Sequence, residues 1–117
     1  MNREVSFLEE LLFNSMFHEI EQRYEEVIEL YKNDYEIMGI AKHLKGMSDS
    51  ILGIFRDIPN PYKKLTEEHY TTLYEALKDI SMILYDLSIA DGEQLNYVIV
   101  QAYRKLDNIN SLFEKLV

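Results

Sequence analysis

The fold is decided by residues 66–87, which read TEEHYTTLYEALKDISMILYDL. Apolar side chains recur in this stretch every three or four residues, the spacing that places them on one face of a helix. They are Tyr70, Leu73, Leu77, Ile80, Leu84 and Leu87. Thr66 is a suitable N-cap residue, and Glu67 and Glu68 follow it at the positive end of the helix dipole. The stretch therefore predicts an amphipathic helix that starts at Thr66.

The same helical spacing continues on both sides, in three more segments separated by turn residues. The first runs from about residue 4 to 31 and the second from about 35 to 57. Two prolines predict a loop over residues 58–64, because proline lacks a backbone donor and disfavours helix in the residue before it. The last segment begins at about residue 91.

Each of these segments has its own apolar face. The face of the first is formed by Leu12, Met16, Ile20, Tyr24, Val27 and Tyr31. The second has Ile37, Ile40, Ala41, Leu44, Ile51, Phe55 and Ile58. The fourth has Leu95, Val98, Ile99, Ala102, Leu106, Ile109, Phe113 and Leu116. Four helices with short connections favour an all-α antiparallel four-helix bundle with up-down-up-down topology, a single domain over residues 1–117.

The composition and net charge of the chain exclude several classes of function. The chain has no cysteine, which excludes a disulfide, a thiolate nucleophile and a cysteine-based zinc site. Its 21 acidic and 12 basic residues give a net charge of −9, which disfavours binding to nucleic acid or to anionic membranes. No apolar run approaches the ~20 residues of a membrane span, and the first residues do not resemble a signal peptide. We expect a cytoplasmic protein.

The spacings that catalysis requires in helical bundles are missing. A di-iron site uses Glu-x-x-His, but the residues three before His18, His43 and His69 are serine, isoleucine and threonine. Glu26 and Glu29 form one Glu-x-x-Glu pair, without the facing pair that a magnesium-dependent helical pyrophosphatase needs. We therefore expect a solvated acidic face here, and no catalytic residue, metal or cofactor.

One helix resembles a known family. Residues 41–48, AKHLKGMS, resemble the pattern Ala-His-x-Leu-Lys-Gly-x-Ser of histidine phosphotransfer (HPt) domains, which are four-helix bundles. The position of the family's phosphorylated histidine holds Lys42, and His43 lies one residue later, about 100° around the helix. The resemblance implies an HPt-like bundle, and phosphorelay is an alternative function.

Three of the four glycines lie in the same predicted helix at heptad spacing. We call Gly39, Gly46 and Gly53 the glycine stripe. A heptad drifts only ~20° on a straight helix, so the three share one side, away from the apolar face. The stripe predicts a close approach by another backbone or a large side chain, from a partner or from a neighbouring helix in the bundle. The alternative is that the three glycines are weak positions that the helix tolerates. Polar contacts at its margins would come from Lys42, His43 and Asp49.

The start of the first helix has a second unexplained surface. Phe7, Leu8 and Leu11, here called the N-terminal patch, point away from the apolar face that begins at Leu12. The predicted helix would be ~42 Å long against ~33 Å for the others, so we expect its first turns to overhang the bundle. The patch would then fold back on the end of the bundle, or pair with a partner or with a second copy as a homodimer.

These two surfaces indicate a non-enzymatic protein-binding module, such as a small acidic adaptor, inhibitor or immunity-type protein that occludes or bridges a partner. A further alternative is an inhibitor that mimics nucleic acid. Residues 1–31 hold eight acidic side chains against two arginines, which would give such a protein its acidic edge.

Overall fold

The computed structural model describes residues 2–57 and 64–116, and contains four long helices and one short two-stranded ribbon. The elements are β1 (Asn2–Glu4), α1 (Phe7–Leu30), α2 (Tyr35–Asp57), β2 (Lys64–Thr66), α3 (Glu67–Ile89) and α4 (Gly92–Leu116). The predicted all-α four-helix bundle is confirmed. The predicted bounds of α2 and the N-cap at Thr66 are also confirmed, since the Thr66 hydroxyl accepts a hydrogen bond from the His69 amide at 3.0 Å.

The helices alternate in direction along the chain. Phe13 near the start of α1 stacks on Phe55 near the end of α2, with ring centroids 4.3 Å apart, so these two helices are antiparallel. The hydroxyl of Tyr31, which follows α1, donates to the carbonyl of Ala90 at the end of α3 at 3.3 Å. The same α1 therefore runs parallel to α3 and beside it. The bundle therefore consists of two antiparallel hairpins, α1–α2 and α3–α4, packed side by side.

The core lies between the hairpins and follows the predicted apolar faces of α2, α3 and α4 closely. Its fully buried large side chains are Phe13, Ile20, Val27, Ile37, Leu44, Ile51, Leu73, Leu77, Ile80, Leu84, Leu87 and Ile109. Ile58, Phe113 and Leu116 are also predicted to be core residues, but their side chains are not among those that the structure describes.

The prediction of Leu12 as a core residue is wrong. Leu12 is 43% exposed, and its neighbour Phe13 is fully buried. The ring of Phe13 packs on Phe55 and makes edge-to-face contacts with Tyr70 and Tyr74 at centroid distances of 5.3 and 6.0 Å. Aromatic pairs at these distances add to the free energy of burial. The packing of the rings from α2 and α3 therefore turns α1 so that Phe13, and not Leu12, faces inward.

The predicted overhang of α1 is also wrong. This helix has 24 residues, against 23, 23 and 25 in the other three. It begins at Phe7 because Ser6 and Glu9 form a capping box, in which each side chain accepts a hydrogen bond from the other residue's backbone amide. The residues before it are extended, and β1 pairs antiparallel with β2 with Arg3 opposite Leu65.

The sequence predicts a loop over residues 58–64. Residues 58–63 are not among the described residues, and Lys64 belongs to β2. In the described parts of the chain, no helix has the length and apolar character needed to cross a membrane.

Candidate binding surfaces

The N-terminal patch lies on the outside of α1. Its side chains are Phe7, Leu8 and Leu11, with exposed fractions between 48% and 75%, and the exposed Leu12 extends it. The patch therefore does not fold back into the described core. Three apolar side chains within two turns of a capped helix form a preordered surface, because the capping box fixes the first turn.

The glycine stripe is open as well. A Cβ atom added to any of its three glycines would have no heavy atom within 4 Å, apart from the adjacent residues and the nearby backbone of α2 itself. The predicted alternative, in which the stripe packs on a neighbouring helix, is therefore not what the fold contains. None of the three has a positive φ, since Gly92 is the one described residue that does. Within the folded chain, neither packing nor backbone conformation requires glycine at these positions.

The margins of the stripe carry the predicted polar side chains. Lys42 and His43 are exposed. Asp49 forms an ion pair with Lys45 on the preceding turn, with Oδ1 2.6 Å from Nζ. In the segment that resembles HPt domains, His43 is therefore exposed on α2, and Lys45, two residues later and about 200° around the helix, is already in an ion pair with Asp49.

A groove between α2 and α4 runs along the stripe. One cavity of about 430 Å³ has Gly39 and His43 in its wall, and a second of about 490 Å³ has Gly46. At the mouth of the first, the Tyr103 hydroxyl donates to Glu36 Oε1 at 3.3 Å. Burial raises the pKa of the Tyr103 phenol, and the negative charge of Glu36 and this hydrogen bond raise it further.

A third surface was not predicted, and lies between α1 and α3. We call it the acidic groove; its volume is about 770 Å³. It is lined by Gln22, Glu25, Glu26, Glu29, Leu30, Tyr85, Ser88 and Ile89. The sequence contained a signal for its α3 wall, because Tyr85 and Ile89 lie one turn apart outside the apolar face of that helix. Both are exposed.

Arg23 joins α1 to α3 at the border of the acidic groove. Its Nη1 donates to the carbonyl and to the hydroxyl of the buried Ser81, at 2.8 and 2.7 Å. Its Nη2 pairs with Glu19 on the preceding turn, and the guanidinium carbon lies 4.9 Å from the centroid of the Tyr85 ring. The side chain is 25% exposed, so these contacts are partly shielded from water. Arg23 therefore holds Tyr85 in place as a wall of the groove.

Among the described residues, no group of three or more histidine, cysteine, aspartate or glutamate side chains has a geometry that could hold a metal ion. The surfaces that distinguish this bundle are thus the N-terminal patch, the groove along the glycine stripe, and the acidic groove.

Comparison with known proteins assigns the chain to a family. It is 58% identical over 113 residues to an uncharacterized protein of Aquifex aeolicus (strain VF5), and the match covers 97% of both chains. The chain belongs to the same family as that protein. No protein-family model and no solved structure matches the chain.

Proposed function

We propose that the protein is a non-enzymatic protein-binding module that occludes or bridges a partner, and that the N-terminal patch is its first contact surface. The observation that carries the proposal is the exposure of Phe7, Leu8 and Leu11 on a capped helix. We further propose that a second copy of the chain covers the patch, because a two-fold pair satisfies a self-complementary apolar surface most simply.

The exposed apolar area sets the strength of this contact. The exposed fractions of the three side chains are equivalent to about two fully exposed residues, so covering them stabilises each copy by about 3 to 6 kcal/mol. This corresponds to a few hundred Å² per copy, less than the ~800 Å² of a standard interface. We therefore expect the patch to be the centre of a small interface. The two copies together gain about 6 to 12 kcal/mol, and association costs at least about 4 kcal/mol, so the dimer should have a dissociation constant no tighter than about micromolar.

A dimer formed in this way would serve as a bridge. The patch is at the start of α1, whereas the acidic groove is at the end of the same helix, and their centres are about 25 Å apart at ~1.5 Å per residue. The acidic groove of each copy would therefore stay open to a partner.

The test is the mass of the protein by light scattering over a series of concentrations. We expect the wild type to approach twice its chain mass of 13.9 kDa at high concentration, and Leu11→Asp to stay at the chain mass. Val100→Asp is the matched control, because Val100 is 50% exposed on α4 and Leu11 is 48% exposed on α1. It should behave as the wild type does.

Two results would count against the proposal. One is a wild type that stays monomeric at every concentration. The other is a dimer that both substitutions weaken equally. Circular dichroism of each variant would establish that the helices are intact.

Phosphorelay is a second candidate function, and the exposure of His43 on α2 of a four-helix bundle favours it. The open glycine stripe on either side of His43 would leave room for a phosphodonor to approach. We propose it as the alternative to simple binding.

A further inference from the structure

The acidic groove has one acidic wall and one apolar wall, whereas the N-terminal patch is apolar throughout. One wall carries the carboxylates of Glu25, Glu26 and Glu29, which lie with Gln22 on one face of α1. The other wall and the end of the groove carry apolar side chains. These are Leu30, Tyr85 and Ile89, with exposed fractions between 46% and 61%.

The charge of the groove is largely uncompensated. Glu29 has one exposed partner, Lys32, at 3.7 Å. Among the described residues, Glu25 and Glu26 take part in no ion pair, and the residues lining the groove include no lysine or arginine. A ligand that covers the apolar wall and carries positive charge beside these carboxylates therefore gains from both surfaces.

An internal cation makes a related contact next to the groove. The guanidinium of Arg23 at the border of the groove lies against the Tyr85 ring and pairs with a glutamate on α1. This internal contact shows that the junction of α1 and α3 accommodates a cation between an aromatic ring and a carboxylate.

We infer that the acidic groove binds a basic amphipathic helix of a partner protein. The lining of α1 spans eight to nine residues, or ~12 Å, which matches about two turns of a third helix lying between α1 and α3. Apolar side chains one turn apart would contact Leu30, Tyr85 and Ile89. Lysine or arginine on the flank of that helix would face Glu25 and Glu26.

This inference goes beyond the proposed function and does not depend on it, because the N-terminal patch lies at the other end of α1. It also differs from mimicry of nucleic acid, in which carboxylates would suffice without an apolar wall.

The test uses a labelled synthetic peptide of leucine and lysine, patterned as an amphipathic helix. Two control peptides have glutamate in place of lysine, or serine in place of leucine. We expect the first peptide to bind, with amide chemical shifts changing in residues 22–30 and 85–89, and the controls to bind at least about tenfold more weakly.

Matched variants separate the groove from general electrostatics. The groove variant is the triple substitution Glu25→Gln, Glu26→Gln and Glu29→Gln. Its control changes the net charge equally on exposed positions of α3 and α4, through Glu75→Gln, Glu93→Gln and Glu114→Gln. We expect the groove variant to bind the peptide about tenfold more weakly, and the control to bind as the wild type does.

A second pair of variants tests the apolar wall. Ile89→Ser should weaken the peptide by about tenfold, and Val100→Ser, at an exposed position outside the groove, should leave its affinity unchanged. Leu11→Asp should also bind the peptide normally, whether or not it dimerises.

Four results would overturn the inference: no binding of the leucine–lysine peptide at millimolar concentration, equal losses in the two triple variants, equal binding of the serine-containing polycation, or shift changes confined to residues outside the groove.

Discussion

Replacing the glycine stripe with alanine should stabilise the protein. Each of Gly39, Gly46 and Gly53 lies within α2 with helical φ, and an added Cβ would meet nothing within 4 Å. Alanine restricts the unfolded chain and has the higher helix propensity, so each substitution should add about 0.5 to 1 kcal/mol to the free energy of unfolding. The triple variant should gain about 1.5 to 3 kcal/mol, provided that the effects at these separated turns are additive.

The expected shift in melting temperature follows from the size of the chain. An unfolding entropy of about 2.1 cal/mol/K per residue makes 1 kcal/mol equivalent to about 4 °C for 117 residues. The triple alanine variant should therefore melt about 6 to 12 °C higher than the wild type. Thermal and urea denaturation, followed by circular dichroism, would measure both quantities.

Gly92→Ala is the built-in control. Its added Cβ also meets open space, but Gly92 has φ +54°, in the left-handed region that L side chains rarely adopt. We expect this variant to be destabilised by about 1 kcal/mol. A triple variant that is no more stable than the wild type, or less stable, would refute the reasoning that the stripe is free of contacts within the folded chain.

Three further outcomes are expected. Arg23→Met should lower the free energy of unfolding by about 1 to 3 kcal/mol in urea denaturation, because it leaves the buried Ser81 hydroxyl and carbonyl without their charged donor; an unchanged midpoint would contradict this. Glu36→Gln should lower the pKa of Tyr103 towards its usual value, measured on ¹³C-labelled tyrosine with Tyr103→Phe for assignment. Because the pKa of Tyr103 is raised in the folded state, the wild type should lose a small part of its free energy of unfolding as the pH rises above the pKa of an unfolded tyrosine. The Glu36→Gln variant should lose less over the same pH range. Incubation with a labelled phosphodonor and a histidine kinase should give no acid-labile phosphate if the protein is a binding module only, whereas a signal that His43→Gln abolishes would favour phosphorelay.

Much of the fold could be predicted from the sequence because its local signals agree. The apolar spacing of α3 and the N-cap at Thr66 point to the same helix, and the structure has that helix. The start of α1 was predicted too early, although Ser6 and Glu9 have the spacing of a capping box and could have marked it. Strands of three residues, such as β1 and β2, are too short to show a periodicity.

What the sequence could not indicate depends on which helices are neighbours. Leu12 and Phe13 are both apolar and lie about 100° apart, and the rings of Phe55 and Tyr70 decide which of them is buried. The acidic groove was missed for the same reason. The sequence predicts only a solvated face for its carboxylates, because it does not show that α3 lies beside the end of α1 and brings Ile89 to it.

The structure shows that the predicted binding residues at the start of α1 and along α2 lie on the surface. The N-terminal patch and the glycine stripe remain uncovered by the described residues of the folded chain. Their role in binding a second copy or a partner stays a prediction, and the acidic groove adds a surface of different chemistry at the other end of α1.

The most direct measurement is a dilution series of methyl NMR spectra. The account predicts that the methyl signals of Leu8 and Leu11 shift progressively as the protein is diluted from millimolar to low micromolar concentration, because the N-terminal patch passes from a covered to an exposed state. The methyl signals of Val100 should stay constant over the same range. Signals of Leu8 and Leu11 that do not move on dilution, from a protein that is monomeric throughout, would contradict the claim that this patch pairs with a second copy.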